Sequence, residues 1–181
     1  MTDSKISIIL GCMFSGKSTE LIRRVSRYTS IGIQVLLINH INDTRTGNSV
    51  KTHSGAKLSA KKFANLMEST QTSAFIESKV IAIDEAHFFG DLLQFVKYAE
   101  KFNKIIIVSG LDGDYKREPI GDILKLIPMC DDVVKLKALD MVDKNGTEAI
   151  FSKRIVDGDQ QILVGAQESY IAVSRKNYIR L

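Results

Sequence analysis

Hydrophobic residues in this chain fall into short unbroken runs, and between the runs apolar positions recur every three or four residues. Lys5–Leu10, Gln34–Asn39, Lys79–Asp84, Lys104–Ser109 and Asp132–Leu136 are continuous rather than alternating, which predicts strands buried on both faces. A helix is predicted over Ser18–Ser30, where Leu21, Ile22, Val25 and Tyr28 share one face and Arg23, Arg24 and Arg27 lie elsewhere. Further helices are predicted near Gly90–Phe102 and Ile120–Ile127. Strands separated by helices indicate an α/β fold, a parallel sheet flanked by helices. The polar, Gly/Ser/Thr/Asn-rich stretch His40–Ala56 reads as a mobile loop. After Ala138 the pattern changes to hairpin strands and turns, so residues 1–138 are expected to form the main domain and 139–181 a small carboxy-terminal β subdomain. No internal repeat or low-complexity segment is visible.

Composition narrows the class. With 181 residues, 44% hydrophobic and 25% charged, the chain suits one substantial core. No apolar run approaches the roughly 18 residues of a membrane helix, and MTDSKISIIL lacks a secretory pattern, so no membrane partner is expected. Cys12 and Cys130 show no paired spacing, which fits a reducing cytoplasm. A formal charge of +4 is compatible with a polyanion partner and equally with binding nucleotide phosphate.

The strongest chemical signal is GCMFSGKST: Gly11, Cys12, Met13, Phe14, Ser15, Gly16, Lys17, Ser18 and Thr19. It satisfies G-x-x-x-x-G-K-[ST] and stands between a predicted strand and a predicted helix, as a phosphate loop must. Its backbone N–H groups and the helix N-terminus would surround the phosphates of ATP. Lys17 would neutralise the β- and γ-phosphates, and the Ser18 hydroxyl would hold Mg²⁺. Asp84 ends a strand and suits the second nucleotide motif, where a carboxylate reaches the magnesium; a helix-capping acid is the bland alternative. Glu85 is adjacent. At the carboxyl edge of a sheet the chain turns, and both acids can approach the phosphate crevice. A carboxylate beside the terminal phosphate can act as general base. Asp84, Glu85, Ala86 and His87 also spell the D-E-A-H of helicases, but a helicase needs a second motor lobe, and this chain has room for one. Phe88 and Phe89 offer aromatic surface for a nucleobase, with one of the two expected in the core.

These residues resemble the type II thymidine kinases. GCMFSGKSTELIRR, NDTR, KTH, IAIDEAHFF, GLDGDYKREP, VVKL, FSKR, ESY and SRKNYI stand in that family's order and approximate spacing. The resemblance implies a P-loop domain and a small lasso-shaped domain that closes over thymidine, commonly in a homotetramer. The implied reaction is transfer of the ATP γ-phosphate to a deoxynucleoside 5′-hydroxyl, with no nucleic-acid partner. By the same resemblance Glu85 matches the catalytic carboxylate, and Arg45, beside Asp43, is assigned to the transferring phosphate; Arg45 is otherwise an ordinary loop arginine. His53 matches a family histidine or is a surface residue. The nucleoside pocket matches Met13, Phe88, Leu111, Tyr115, Ser152, Leu163, Val164, Gly165 and Tyr170, with Met13 and Leu111 also readable as core.

Several positions depart from the family pattern. His87 replaces a glutamine, Ile120 a phenylalanine and Ala166 a glycine. The family's two Cys-x-x-Cys zinc pairs are matched by Asp140 and Asp143, then Ser174 and Asn177. That set lacks the thiolate and imidazole ligands zinc prefers, so no structural zinc is expected, and the D-x-x-D reads as a solvated turn. The small domain would then hold by packing or by binding nucleoside. Two classes of function remain open: a thymidine kinase, and a P-loop regulator or inactive descendant that binds nucleotide without transferring phosphate. A nucleic-acid-stimulated ATPase ranks below both, for want of a second lobe or basic groove.

Overall fold

The structure, a computed structural model, describes residues 3–43, 49–51, 57–158, 160–161 and 167–180. In chain order the strands are β1 (Lys5–Gly11), β2 (Val35–His40), β3 (Ser49–Lys51), β4 (Lys57–Ser59), β5 (Lys61–Phe63), β6 (Val80–Ile83), β7 (Ile105–Gly110), β8 (Asp132–Leu136), β9 (Ala138–Leu139), β10 (Glu148–Ala149), β11 (Phe151–Arg154) and β12 (Tyr170–Val173). The α-helices are α1 (Lys17–Thr29), α2 (Leu66–Ser69), α3 (Ser73–Glu77), α4 (Leu92–Glu100) and α5 (Arg175–Arg180).

One six-stranded sheet organises these elements, in the order β5-β2-β6-β7-β1-β8, and every neighbouring pair is parallel. Its central strands are apolar on both faces because both faces are covered. Leu21, Ile22 and Val25 of α1 pack on Ile9, Leu37, Val80, Ala82 and Ile107. On the other face, Leu92, Phe95, Val96 and Ala99 of α4 pack with Ile123 and Leu126 against Ile6, Ile8, Ile81, Ile83 and Ile106. Away from the α1 stripe, Arg23 and Arg24 share Glu20, and Arg24 also reaches Asp132. Cover thins at the edge strand β8, where Val133 is 45% exposed.

The predicted helix at Ile120–Ile127 is instead a 3-10 helix over Ile123–Met129. Gly121 has a positive φ of 59°, and Pro128 has no N–H to extend an α-helical ladder. The expected loop over His40–Ala56 contains β3, which pairs with β4; residues 44–48 and 52–56 lie outside the described residues, and with them Arg45 and His53. Beyond β8 come two antiparallel pairs, β9 with β10 and β11 with β12, and the terminal α5. Among the described residues no helix is long and apolar enough to cross a membrane.

Asp140 overturns the expected solvated turn. It is 2% exposed, and its carboxylate accepts the N–H groups of Val142 at 2.8 Å, Asp143 at 2.9 Å and Ser174 at 2.5 Å. The Asn177 amide adds bonds of 3.0 and 3.1 Å, and the Ser174 hydroxyl accepts the Asn177 N–H at 3.4 Å. Burial alone would raise the Asp140 pKa, but the donors from Ser174, Asp143 and Val142 hold it well below the usual carboxylate range. Asp143, the other acid of the turn, meets the Lys176 ammonium at 3.4 Å.

Candidate active site

The site lies at the carboxyl ends of β6, β7 and β1, where a doubly wound sheet leaves a crevice. β1 runs into Gly11, at φ 152°, where a Cβ would stand 2.6 Å from both the Leu136 carbonyl and the Ser15 hydroxyl. The loop then passes through left-handed residues at Phe14 and Gly16 before α1 begins. Gly16 caps α1 without a side chain, so the first-turn N–H groups face the loop with no side-chain cap. The Ser15 hydroxyl is buried in this cradle and has no hydrogen-bond partner among the described residues. A loop with an orphaned hydroxyl and an uncapped helix start fits a bound phosphate.

Lys17 donates to the Cys12 carbonyl at 2.8 Å, so its ammonium rests on the loop itself. Burial lowers the Lys17 pKa, while Glu85, Cys12, Asp84 and Asp112 pull it back up. The Ser18 hydroxyl donates to Asp84 Oδ2 at 3.0 Å, joining the two residues expected to hold magnesium. An acceptor hydroxyl beside a buried carboxylate is a fitting donor set for that ion. Burial and the neighbouring Glu85 raise the Asp84 pKa. Thr19 is exposed.

Glu85 adopts φ 49° and ψ 40°, a left-handed conformation uncommon outside glycine. This turn ends β6 and lets a second carboxylate follow the first toward the loop; its charge leads the influences that raise the Lys17 pKa. Beyond it, Ala86 is in the core. His87 is buried, its Nδ1 accepting the Leu111 N–H at 3.2 Å and its Nε2 lying 3.6 Å from Glu85 Oε2. Acceptance at Nδ1 places the proton of a neutral ring on Nε2, facing the glutamate. Phe89 is the aromatic that enters the core, at 1% exposure, whereas half-buried Phe88 stacks on His40 at 5.4 Å between centroids.

The residues expected around a nucleoside meet the phosphate loop from the other side. Met13 and Leu111 are half-buried rather than core. The Met13 N–H donates to the Ser152 hydroxyl at 2.9 Å, and the Cys12 thiol donates to the Ala149 carbonyl at 3.6 Å. Cys12 and Phe14 pack with Ala138, Ala149 and Ala172. Burial raises the Cys12 pKa, so its thiol stays protonated. Tyr115 donates to the Gly158 carbonyl at 3.4 Å, and the Tyr170 hydroxyl accepts from Arg154 at 2.5 Å. Leu163, Val164 and Gly165 lie outside the described residues. Asp43 is buried and accepts from the Asn39 amide at 2.8 Å.

Three residues at this edge escaped the sequence reading. Ser109, at the end of β7, has a buried hydroxyl that favours the ionised form of Asp84 yet completes no hydrogen bond of good geometry. Asp112 pairs with Lys135 at 2.5 Å and adds its charge beside Lys17. A small polar residue and an acid at a strand's carboxyl end, in VSGLDGDY, were the available signal. Arg154 closes the FSKR segment that carries the family resemblance, but nothing in those four letters assigns it a role.

Residues 4–178 match the thymidine kinase family model. The chain is 41% identical to the thymidine kinases of raccoon poxvirus and of vaccinia virus strain Western Reserve, covering 99% of each and 99% of itself. Against the thymidine kinase of myxoma virus strain Uriarra it is 38% identical, with 98% of each chain covered. Among solved structures, the flagellar accessory protein FlaH of Methanocaldococcus jannaschii shares the fold, with a TM-score of 0.51 at 17% identity over 88% of this chain and 76% of that one.

Proposed function

The chain belongs to the thymidine kinase family, and from that premise we propose that it transfers the γ-phosphate of ATP to the 5′-hydroxyl of thymidine. The observation that carries this reading is the convergence of Lys17, the Ser18–Asp84 pair and Glu85 on one glycine-shaped loop. ATP phosphates occupy the cradle of residues 11–19, and the Lys17 ammonium exchanges the Cys12 carbonyl for phosphate oxygens. The 5′-oxygen bonds to the γ-phosphorus as the bond from that phosphorus to the β–γ bridging oxygen breaks, releasing ADP. Glu85 takes the hydroxyl proton, and His87 flanks its Oε2. Ser18 and Asp84 would hold Mg²⁺, which neutralises phosphate charge when bound. Arg45 belongs with the transferring phosphate, where a planar guanidinium suits developing charge.

In this reading residues 1–138 bind nucleotide and 139–181 close over the nucleoside, with Met13, Phe88, Leu111, Tyr115, Ser152 and Tyr170 as its walls and residues 163–165 at the base. A cytoplasmic homotetramer without nucleic-acid or membrane partners completes the proposal, and light scattering of the purified protein tests the assembly. The missing zinc cysteines give no ground for an inactive descendant, because Asp140 joins the same positions by hydrogen bonds.

Transfer of radiolabelled γ-phosphate from ATP to each of four deoxynucleosides tests the activity. Thymidine should be labelled most, and Glu85→Gln should lose on the order of 10²–10⁴ in kcat, the range for a general base. Folded wild-type protein that labels no nucleoside would sink the reading.

A further inference from the structure

We infer that Arg154 is a positioning residue of the nucleoside pocket, acting through Tyr115 and Tyr170; this rests on the assignment of those tyrosines to the nucleoside. Arg154 ends β11 and faces Tyr170 across the β11–β12 pair. Its guanidinium lies 3.9 Å from the centre of the Tyr115 ring and 5.2 Å from that of Tyr170, so one cation serves two aromatic faces.

The edge of the guanidinium is used as fully as its face. Nη2 and Nε donate to the Tyr170 hydroxyl at 2.5 and 3.2 Å. Nη1 donates to the Gly158 carbonyl at 3.0 Å, and Nη2 reaches the Gln161 carbonyl at 3.4 Å. The Tyr115 hydroxyl donates to that same Gly158 carbonyl at 3.4 Å. Gln161 then donates to Asp114 Oδ2 at 3.0 Å, while Asp114 Oδ1 accepts the N–H groups of Lys116 and Glu118. One planar cation therefore fixes the loop after β7, the end of β11, residues 158 and 161, and the first residue of β12. Residues 158 and 161 lead in sequence toward the stretch assigned to the base.

Only an arginine can fill this position. A lysine ammonium is a point charge with no plane, so it cannot stack on one ring while forking to three acceptors. None of the bonded partners of Arg154 is Lys17, Asp84 or Glu85. Loosening it should change how the nucleoside is held and leave phosphoryl transfer itself intact.

The test is steady-state kinetics with thymidine and ATP varied separately, on wild type, Arg154→Lys, Arg154→Ala and Tyr170→Phe, alongside thermal unfolding. For Arg154→Lys the thymidine KM should rise about tenfold, with kcat and the ATP KM within about threefold, the pattern of lost ground-state positioning. Arg154→Ala should be worse, and free guanidinium ion, unlike ammonium, should recover part of its thymidine affinity. Tyr170→Phe should raise the thymidine KM by a smaller factor. An unaltered thymidine KM in Arg154→Lys would overturn the inference. So would a parallel loss of both substrates' parameters together with a lowered unfolding midpoint. Wild type inactive on thymidine would instead end the functional reading on which this one stands.

Discussion

Asp84 and Glu85 are neighbours of like charge given different work by the backbone between them. Asp84 follows a regular strand, is buried and bonds Ser18, whereas the backbone turns left-handed at Glu85, whose carboxylate lies 3.6 Å from His87 and acts on Lys17. Lys17→Met should therefore remove phosphate neutralisation but leave both acids in place, lowering kcat on the order of 10²–10³, as for loss of one electrostatic donor; rapid-quench single-turnover kinetics would isolate the step. Gly121 offers a steric test. A Cβ there would stand 2.4 Å from the His87 carbonyl at a φ of 59°, so Gly121→Ala must displace the residue that flanks Glu85 and holds Leu111. Denaturant unfolding should show a loss of about 2–4 kcal/mol, because steric conflict adds to an unfavourable backbone. The residues legible from sequence were those whose chemistry is written in adjacent letters: Gly11 to Thr19, and Asp84 with Glu85. Ser109 beside Asp84, the His87 bond to Leu111, and Arg154 between two tyrosines depend on partners 16 to 39 positions away, and no local pattern says which residues will meet.

At the scale of elements, the apolar runs predicted five sheet strands to within a residue or two; in four of them burial on both faces leaves no polar alternation, whereas the edge strand β8 is largely exposed. Of the two- to six-residue pieces, those between Lys57 and Glu77 were not predicted, and those after Ala138 were read only collectively as hairpins and turns, since helical or strand periodicity needs more positions than they have. Asp140 joins several of those pieces, tying the turn after β9 to β12 and α5. Its folded pKa is depressed, so its stabilisation is complete above the unfolded value of about 4 and is lost as pH falls below that. Thermal unfolding should show Asp140→Ala destabilised by about 2–4 kcal/mol at pH 7, because buried donors are left unmet. The gap to wild type should narrow progressively below pH 4.

For the whole molecule, the phosphate loop is also fastened to the carboxy-terminal strands. Met13 bonds Ser152, Cys12 bonds Ala149, and Cys12 and Phe14 pack with alanines on β9, β10 and β12. Calorimetric titration should show thymidine tightening the binding of a non-hydrolysable ATP analogue, and the analogue tightening thymidine by the same factor, as linkage requires. Ser152→Ala should bring that factor toward one. The change of pattern after Ala138 marked where the antiparallel pairs begin, but the contacts that fasten them to the loop pair backbone groups with small side chains, which sequence does not distinguish from any other serine or alanine.

The join around Asp140 contains no cysteine; the sulfur beside it is the thioether of Met141, which accepts the Ala172 N–H at 3.3 Å. Of the two cysteines, Cys12 is buried in the phosphate loop against Ala138, Ala149 and Ala172, and Cys130 follows the 3-10 helix before β8; neither bonds Asp140. Mild peroxide, which would dismantle a cluster of thiolates, finds there only that thioether, 39% exposed. Any oxidative loosening of the part of the molecule assigned to thymidine should therefore trace to Met141 and be absent from Met141→Leu.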